Sequence, residues 1–334
     1  MAIRLHLLSL SEPIDMSDMR ILVTGGAGFI GSSLCESLVS MGHKVVAIDS
    51  MFRGSEDNLD AILGSENFSL YAGDVRDVDD LDTCVEALGG LDLVYHLAAI
   101  NGTKWFHEAA HSVIDVNVNG TLRTLELAMA HDAKYVFASS PEAFGEPLSQ
   151  PITDGDSMVF TDPREHQRHS YGGSKYLGEI ACQHAARDGL NVQIIRPFNT
   201  YGPRLCGDEY GQVIAMFFNQ LIDSGVLAVH GDGSQTRSFT WIDDVVKGFV
   251  SAGMQDLPTG EAFNLGSTEE ISIIDLATKI TQFGEDVDLI HSEGYHGDVK
   301  RRLPNISNSE KFLNWKAKVS LDEGLEMMWN SLNP

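Results

Sequence analysis

Six short β-branched or apolar runs alternate with longer amphipathic segments along the first two thirds of this chain, and the first run leads into Thr24-Gly25-Gly26-Ala27-Gly28-Phe29-Ile30-Gly31. Few architectures accommodate that order. Strands buried on both faces by crossover helices read as near-continuous apolar runs, and a parallel sheet is the arrangement that covers them. The strands are expected at 20–24, 44–48, 68–72, 92–96, 134–138 and 191–196. Helices are expected at 29–41, 78–88, 109–130 and 170–187, with Asp77 as N-cap of the second.

The predicted class is α/β, a Rossmann-like doubly wound parallel sheet. After Pro197 the alternation gives way to a Gly- and Pro-containing stretch, a helix near 212–224, a short strand and a loop from Gly231 to Arg237. A helix and strand over 241–265 then return to the sheet. The expected organisation is a flexible leader at 1–18, a dinucleotide-binding domain at 19–196 plus 240–265, and a smaller discontinuous substrate-binding lobe at 197–239 plus 266–334.

Composition narrows the partners. The formal charge of −25 over 334 residues opposes any general grip on nucleic acid or an anionic membrane, so a phosphate-bearing ligand has to meet local positive charge. No apolar run approaches the roughly 20 residues that span a bilayer. The N-terminal segment, with one Arg4 before a short apolar patch, makes a poor secretory signal. Cys35, Cys84, Cys182 and Cys206 show no metal-ligand or redox spacing, which predicts no metal site and a reducing, cytoplasmic setting.

Gly25, Gly28 and Gly31 fall where a first strand turns into a first helix, with Phe29 and Ile30 between the last two. Absent side chains allow the tight turn and let a pyrophosphate approach the backbone, and the helix N-terminus supplies amide donors. Asp49 ends the second expected strand, where a carboxylate accepts both hydroxyls of an adenosine ribose and repels a 2′-phosphate. NAD is therefore the expected cofactor, although Arg53 nearby would suit a 2′-phosphate. Further along, Tyr171 and Lys175 stand at i and i+4, on one helix face. An ammonium beside the ring stabilises phenolate and lowers the Tyr171 pKa, which suits proton removal from a hydroxyl as hydride leaves the same carbon. Ser140 follows the fifth strand, at the carboxyl edge where doubly wound sheets bind ligands.

In these motifs and their order the chain resembles the extended short-chain dehydrogenase/reductases, over about residues 19–330. Gly73-Asp74-Val75-Arg76-Asp77 is similar to the family's adenine-contacting segment, and His96-Leu97-Ala98-Ala99 to its turn beside the nicotinamide. The stretch Ser139 to Gly145 resembles the loop carrying the catalytic Ser or Thr, and the spacing to Gly145 selects Ser140. Glu142 matches an acid or base shared by decarboxylases and dehydratases, whereas Pro141 replaces the acidic residue usual in dehydratases.

Arg196-Pro197-Phe198-Asn199-Thr200-Tyr201-Gly202-Pro203-Arg204 looks like the nucleotide-sugar branch. The resemblance then places Pro197 against the nicotinamide amide and Asn199, Arg237 and Arg302 on a substrate diphosphate. Lys104 and His107, in a loop after the fourth strand, are candidates for reading the sugar. The implied substrate is a nucleotide-diphosphate sugar, and the implied assembly is a homodimer through the helices at 109–130 and 170–187. The resemblance favours C4 epimerisation through a transient keto sugar, with Tyr171 as base helped by Ser140 and Lys175. Decarboxylation of a nucleotide uronic acid is the alternative and dehydration the third reading. A non-catalytic NAD sensor is the reading outside enzymes.

Overall fold

The computed structural model describes residues 18–165, 167–205, 207, 212–293 and 299–333. Apart from Asp18, the expected leader lies outside the described residues. The chain runs β1 (Arg20–Thr24), α1 (Phe29–Ser40), β2 (Lys44–Asp49), β3 (Phe68–Ala72), α2 (Val78–Leu88), β4 (Leu93–His96), α3 (Thr103–Glu108), α4 (Ala110–His131), β5 (Lys134–Ala138), α5 (His169–Arg187) and β6 (Val192–Pro197). A later strand, Glu261–Leu265, pairs with β6 and completes a seven-stranded parallel sheet. From that edge the order is Glu261–Leu265, β6, β5, β4, β1, β2, β3.

Strand periodicity builds two cores, one on each face. Ile21 and Val23 of β1 and Val45 and Ala47 of β2 join one apolar cluster, while Leu22, Val46 and Ile48 join the other. The first cluster continues without a break into the elements after β6, taking in Phe217, Phe218, Trp241, Phe249 and Leu325. Those elements include the helix Val213–Ser224, the helix Ile242–Met254 and a small sheet in which Thr236–Ser238 lies between Glu270–Ser272 and Arg301–Arg302. No helix among the described residues is long and apolar enough to cross a membrane.

Asp77 caps α2 as expected, accepting the Asp79 amide at 2.9 Å. The expected helix at 109–130 is different: the loop before it is itself helical, as α3, and Ala109 (φ −132°, ψ 34°) breaks α3 from α4. Phe106 drives this, because its buried ring stacks on Tyr171 and draws the segment down as a turn of helix.

The edge of the sheet that carries the ligand cleft is held by buried polar contacts. Arg196 on β6 donates from Nε and Nη2 to the two oxygens of Glu179 on α5, at 2.8 and 2.6 Å. Ser139 donates its hydroxyl to the same carboxylate, Arg196 Nη1 donates to the Asp154 carbonyl at 3.0 Å, and the guanidinium lies 4.6 Å from the Phe144 ring centre. Burial pushes the Asp154 carboxyl up to about 6, against the pull of Arg196. At the other end Gly25 adopts φ +69°, and a Cβ on Gly31 would stand 2.0 Å from the Gly25 carbonyl oxygen.

Two stability measurements follow from this packing. Gly31→Ala forces that contact apart and costs about 1–3 kcal/mol, read as a lower Tm. Glu179→Leu leaves Arg196 buried without its partner and costs about 3–5 kcal/mol in urea denaturation, and Glu179→Leu with Arg196→Met together recovers most of that loss.

Candidate active site

A cleft of about 830 Å³ follows the carboxyl edge of the sheet and reaches under the elements after β6. Its β1–β3 end fits NAD on the chain's own geometry. Gly25, Gly28, Phe29, Ile30 and Gly31 line it where α1 begins, and a Cβ on Gly25 would meet the Ala98 amide nitrogen at 2.8 Å. Asp49, at the tip of β2, accepts the Ala27 amide at 3.0 Å and the Met51 amide at 2.9 Å. Burial raises its carboxyl and these two donors pull it back, so a fixed carboxylate faces the position of an adenosine ribose. Asp74 and Val75 line the neighbouring wall, with Asp74 held by Arg76.

Leu97, Ala98 and Ala99 line the cleft after β4. Their turn is fixed by a buried chain that motif reading does not single out. Thr24 Oγ1 accepts the Ala98 amide at 3.1 Å and pairs with His96 Nδ1 at 2.8 Å, while His96 Nε2 meets Thr121 Oγ1 at 3.1 Å. Burial first, and the nearby Lys175 charge second, drive the His96 imidazole down to about 3, so it stays neutral and serves to orient.

At the middle of the cleft stand Ser140, Tyr171 and Lys175. Ser140 accepts the Glu142 amide at 3.2 Å and so caps the short turn Pro141–Phe144, beside Tyr171 in the cleft. Lys175 Nζ lies 5.8 Å from the Tyr171 ring centre and donates to the Ala138 carbonyl at 2.7 Å. The expectation of a lowered Tyr171 pKa is not met. Burial raises it, opposed by the nearby Ser140 hydroxyl and reinforced by the charge of Glu142, and the Lys175 ammonium is turned towards Ala138. Burial also brings Lys175 down to about 8.

Glu142, expected as an acid or base, lies between two guanidinium groups. Arg302 bonds it through both terminal nitrogens, and Arg168 Nη2 reaches it at 3.0 Å. Burial alone would raise its carboxyl, but the two guanidinium charges hold it well below the usual range, as a fixed anion. Arg302 is correspondingly turned onto Glu142 rather than left for a diphosphate alone, and its buried Nε has no hydrogen-bond partner. Arg168, the residue before α5, stands three residues before Tyr171, a spacing that brings both to one side of the helix start.

Pro197, Asn199 and Arg237 line the far half of the cleft. Asn199, at φ +32°, donates its side-chain amide to the Ser238 carbonyl at 2.9 Å. Arg237 and Arg302 are register partners on adjacent strands, which delivers both to one wall. Arg204, also lining the cleft, bonds Glu36 at 2.6 Å and Ser32 at 3.3 Å. Lys104 is not in the lining: it sits on α3 beside Glu108 at 3.9 Å, and Thr103 and Phe106 present themselves in its place.

The family model of the NAD dependent epimerase/dehydratase family matches residues 21–266. UDP-glucuronic acid decarboxylase 1 of Arabidopsis thaliana is 35% identical over 317 residues, covering 94% of this chain and 70% of that protein. UDP-N-acetyl-alpha-D-glucosaminuronate decarboxylase of Bacillus cytotoxicus is 33% identical over 315 residues, 92% of this chain and 95% of the relative. Among solved structures, UDP-glucuronic acid 4-epimerase of Bacillus cereus, in complex with UDP-glucuronic acid and NAD, superposes with a TM-score of 0.85 at 28% identity over 94% of this chain and 99% of that one. With a dinucleotide cradle, a Ser-Tyr-Lys set and this match over most of its length, the chain belongs to the NAD dependent epimerase/dehydratase family of extended short-chain dehydrogenase/reductases.

Proposed function

We propose that the protein is an NAD-dependent decarboxylase of a nucleotide-diphosphate-linked uronic acid. The observation that carries this reading is the pair Arg168 and Arg302 set on Glu142 beside Ser140 and Tyr171. Arg302, whose Nε is buried without a hydrogen-bond partner, stands with Arg168 on that carboxylate at the sugar end of the cleft, in a chain whose formal charge is −25. A neutral hexose offers that guanidinium no charged partner, whereas a carboxylate on the sugar does. The decarboxylase relatives in a plant and a bacterium support the same substrate class. C4 epimerisation, first on sequence grounds, shares the opening step and becomes the second reading; the relative that acts on UDP-glucuronic acid without a decarboxylase name keeps it open to test.

The chemistry divides among the residues as follows. NAD held by Gly25, Gly28, Gly31, Asp49 and Lys175 supplies the acceptor, and later the donor, of one hydride. Tyr171 takes the C4 hydroxyl proton against the burial that raises its own pKa, with Ser140 donating to the same oxygen. The resulting 4-keto uronate is a β-keto acid. Its C5–C6 bond breaks with the electron pair passing to the C4 oxygen, where Ser140 and Tyr171 meet the developing charge. Carbon dioxide leaves, C5 takes up one proton, and hydride returns to C4, so a uronate and a proton become a pentose and carbon dioxide with no net oxidation. Glu142 orients the two arginines and tempers their charge, so that they hold the carboxylate and release the neutral gas. Asn199 and Arg237 hold the diphosphate.

The exposed apolar side chains Ile114, Leu122 and Met129 on α4 and Leu177 and Ile180 on α5 form a face suited to a second copy, and the dimer is proposed there. Three buried free thiols and use of NAD suit a cytoplasmic setting.

With UDP-glucuronic acid and UDP-N-acetylglucosaminuronic acid, mass spectrometry and proton NMR are expected to show a pentose product and released carbon dioxide. An isomer of unchanged mass from either overturns decarboxylation in favour of epimerisation. Tyr171→Phe lowers turnover by roughly 10²–10⁴-fold while NAD stays bound. Arg302→Met lowers kcat/KM on the uronate by about 10²-fold, the loss of one buried charged contact. In sedimentation, Leu177→Glu with Ile180→Glu is expected to give a monomer where the unaltered protein is a dimer.

A further inference from the structure

The loop after β2 is built as a strap. Its base is fixed to the glycine turn: the Ser55 amide and the Asn58 side-chain amide both donate to the Ala27 carbonyl, at 3.1 and 2.8 Å. A Cβ on Gly54 would stand 2.8 Å from Asp49 Oδ1 and 2.9 Å from the Ala27 Cβ, so the base sits flush against the cradle. Its tip rests on no core. Phe52 is 51% exposed, yet its ring centre lies 5.1 Å from that of Trp105, and Arg53 donates from Nη1 to the Asn101 carbonyl. Both contacts reach one distant segment, the start of α3 and the turn before it.

Sheet order gives those contacts their meaning. β1 lies between β2 and β4, and all three strands are parallel. A bridge from the loop after β2 to the loop after β4 therefore passes over the carboxyl end of β1, where the glycine turn opens α1. That is where the diphosphate of a bound dinucleotide sits. Phe52, Arg53 and Asn101 all line the cleft there.

We propose that Phe52 and Arg53 form a clasp that closes over the cofactor diphosphate onto Asn101 and Trp105, and that this clasp sets how slowly NAD leaves. A helix N-terminus offers a diphosphate only a partial charge, and Arg53 adds a full one. Arg53 is thus a diphosphate-binding residue and not the reader of a 2′-phosphate that its place near Asp49 suggests. Retention suits a reaction that returns its hydride to the same sugar, because such a reaction needs no exchange of cofactor between turnovers. The clasp rests on NAD as cofactor and not on which sugar chemistry follows.

The test is exchange of bound NAD. The purified holoprotein is loaded with adenine-labelled NAD and chased with excess unlabelled NAD, for the unaltered protein, Arg53→Met, Phe52→Ser and the double variant. Both residues are exposed at a loop tip, and thermal unfolding of each apoprotein checks that the fold is kept. Each single variant is expected to release NAD about tenfold faster, the loss of one exposed charged or aromatic contact. Phe52→Ser should quicken association as well as release, as removal of a gate does, and Arg53→Met should flatten the salt dependence of NAD affinity. Release from the double variant at the unaltered rate overturns the clasp. So does an Arg53→Met effect confined to NADP, which would return Arg53 to 2′-phosphate reading.

Discussion

The contact between Arg196 and Glu179 is the one on which the site depends. It joins a strand of the central sheet to the helix carrying Tyr171 and Lys175, and Ser139 hangs from the same carboxylate one residue before Ser140. Sheet, helix and serine loop are thereby tied at one buried point. Apolar residues in those places would pack as well or better, since buried ion pairs contribute little net stability. What the pair supplies is position, at the scale of the tenths of an ångström that proton and hydride transfer require.

Charge is distributed by the same economy of place. The chain as a whole repels anions, and its cleft reverses that locally with Arg168, Arg237, Arg302 and Arg204. Each cation is steadied by a neighbour: Glu142 for Arg168 and Arg302, Glu36 for Arg204, a main-chain carbonyl for Arg237. Steadied cations are already oriented when an anionic substrate arrives, so little ordering is left to oppose binding.

How much of this was legible follows from how local each signal is. The strand positions were readable because both faces of a parallel sheet are buried, and the glycine turn, Asp49 and the Tyr171 to Lys175 spacing were readable because each lies within a few residues or one β-α-β unit. The Glu142 cluster was not, since its members lie 26 and 160 residues apart in the chain and meet only once Arg301–Arg302 joins the small sheet beside Arg237. A buried carboxylate such as Glu142 recruits charged partners, and only the folded chain shows that Arg168 and Arg302 are the ones it meets. The helical form of α3, which carries Lys104, depends on a contact distant in the chain, the stacking of buried Phe106 on Tyr171. The Arg53 to Asn101 bridge, 48 residues apart, needs the order of β2, β1 and β4 before it has any meaning.

In the proposed reaction one C4 hydrogen leaves the sugar as hydride and returns to it within a single closed site. UDP-glucuronic acid deuterated at C4, given to the holoprotein with no added cofactor, tests that directly. A pentose nucleotide that keeps deuterium at C4 is the expected product. A product carrying protium at C4, with the label recovered in free NADH or in water, would contradict it.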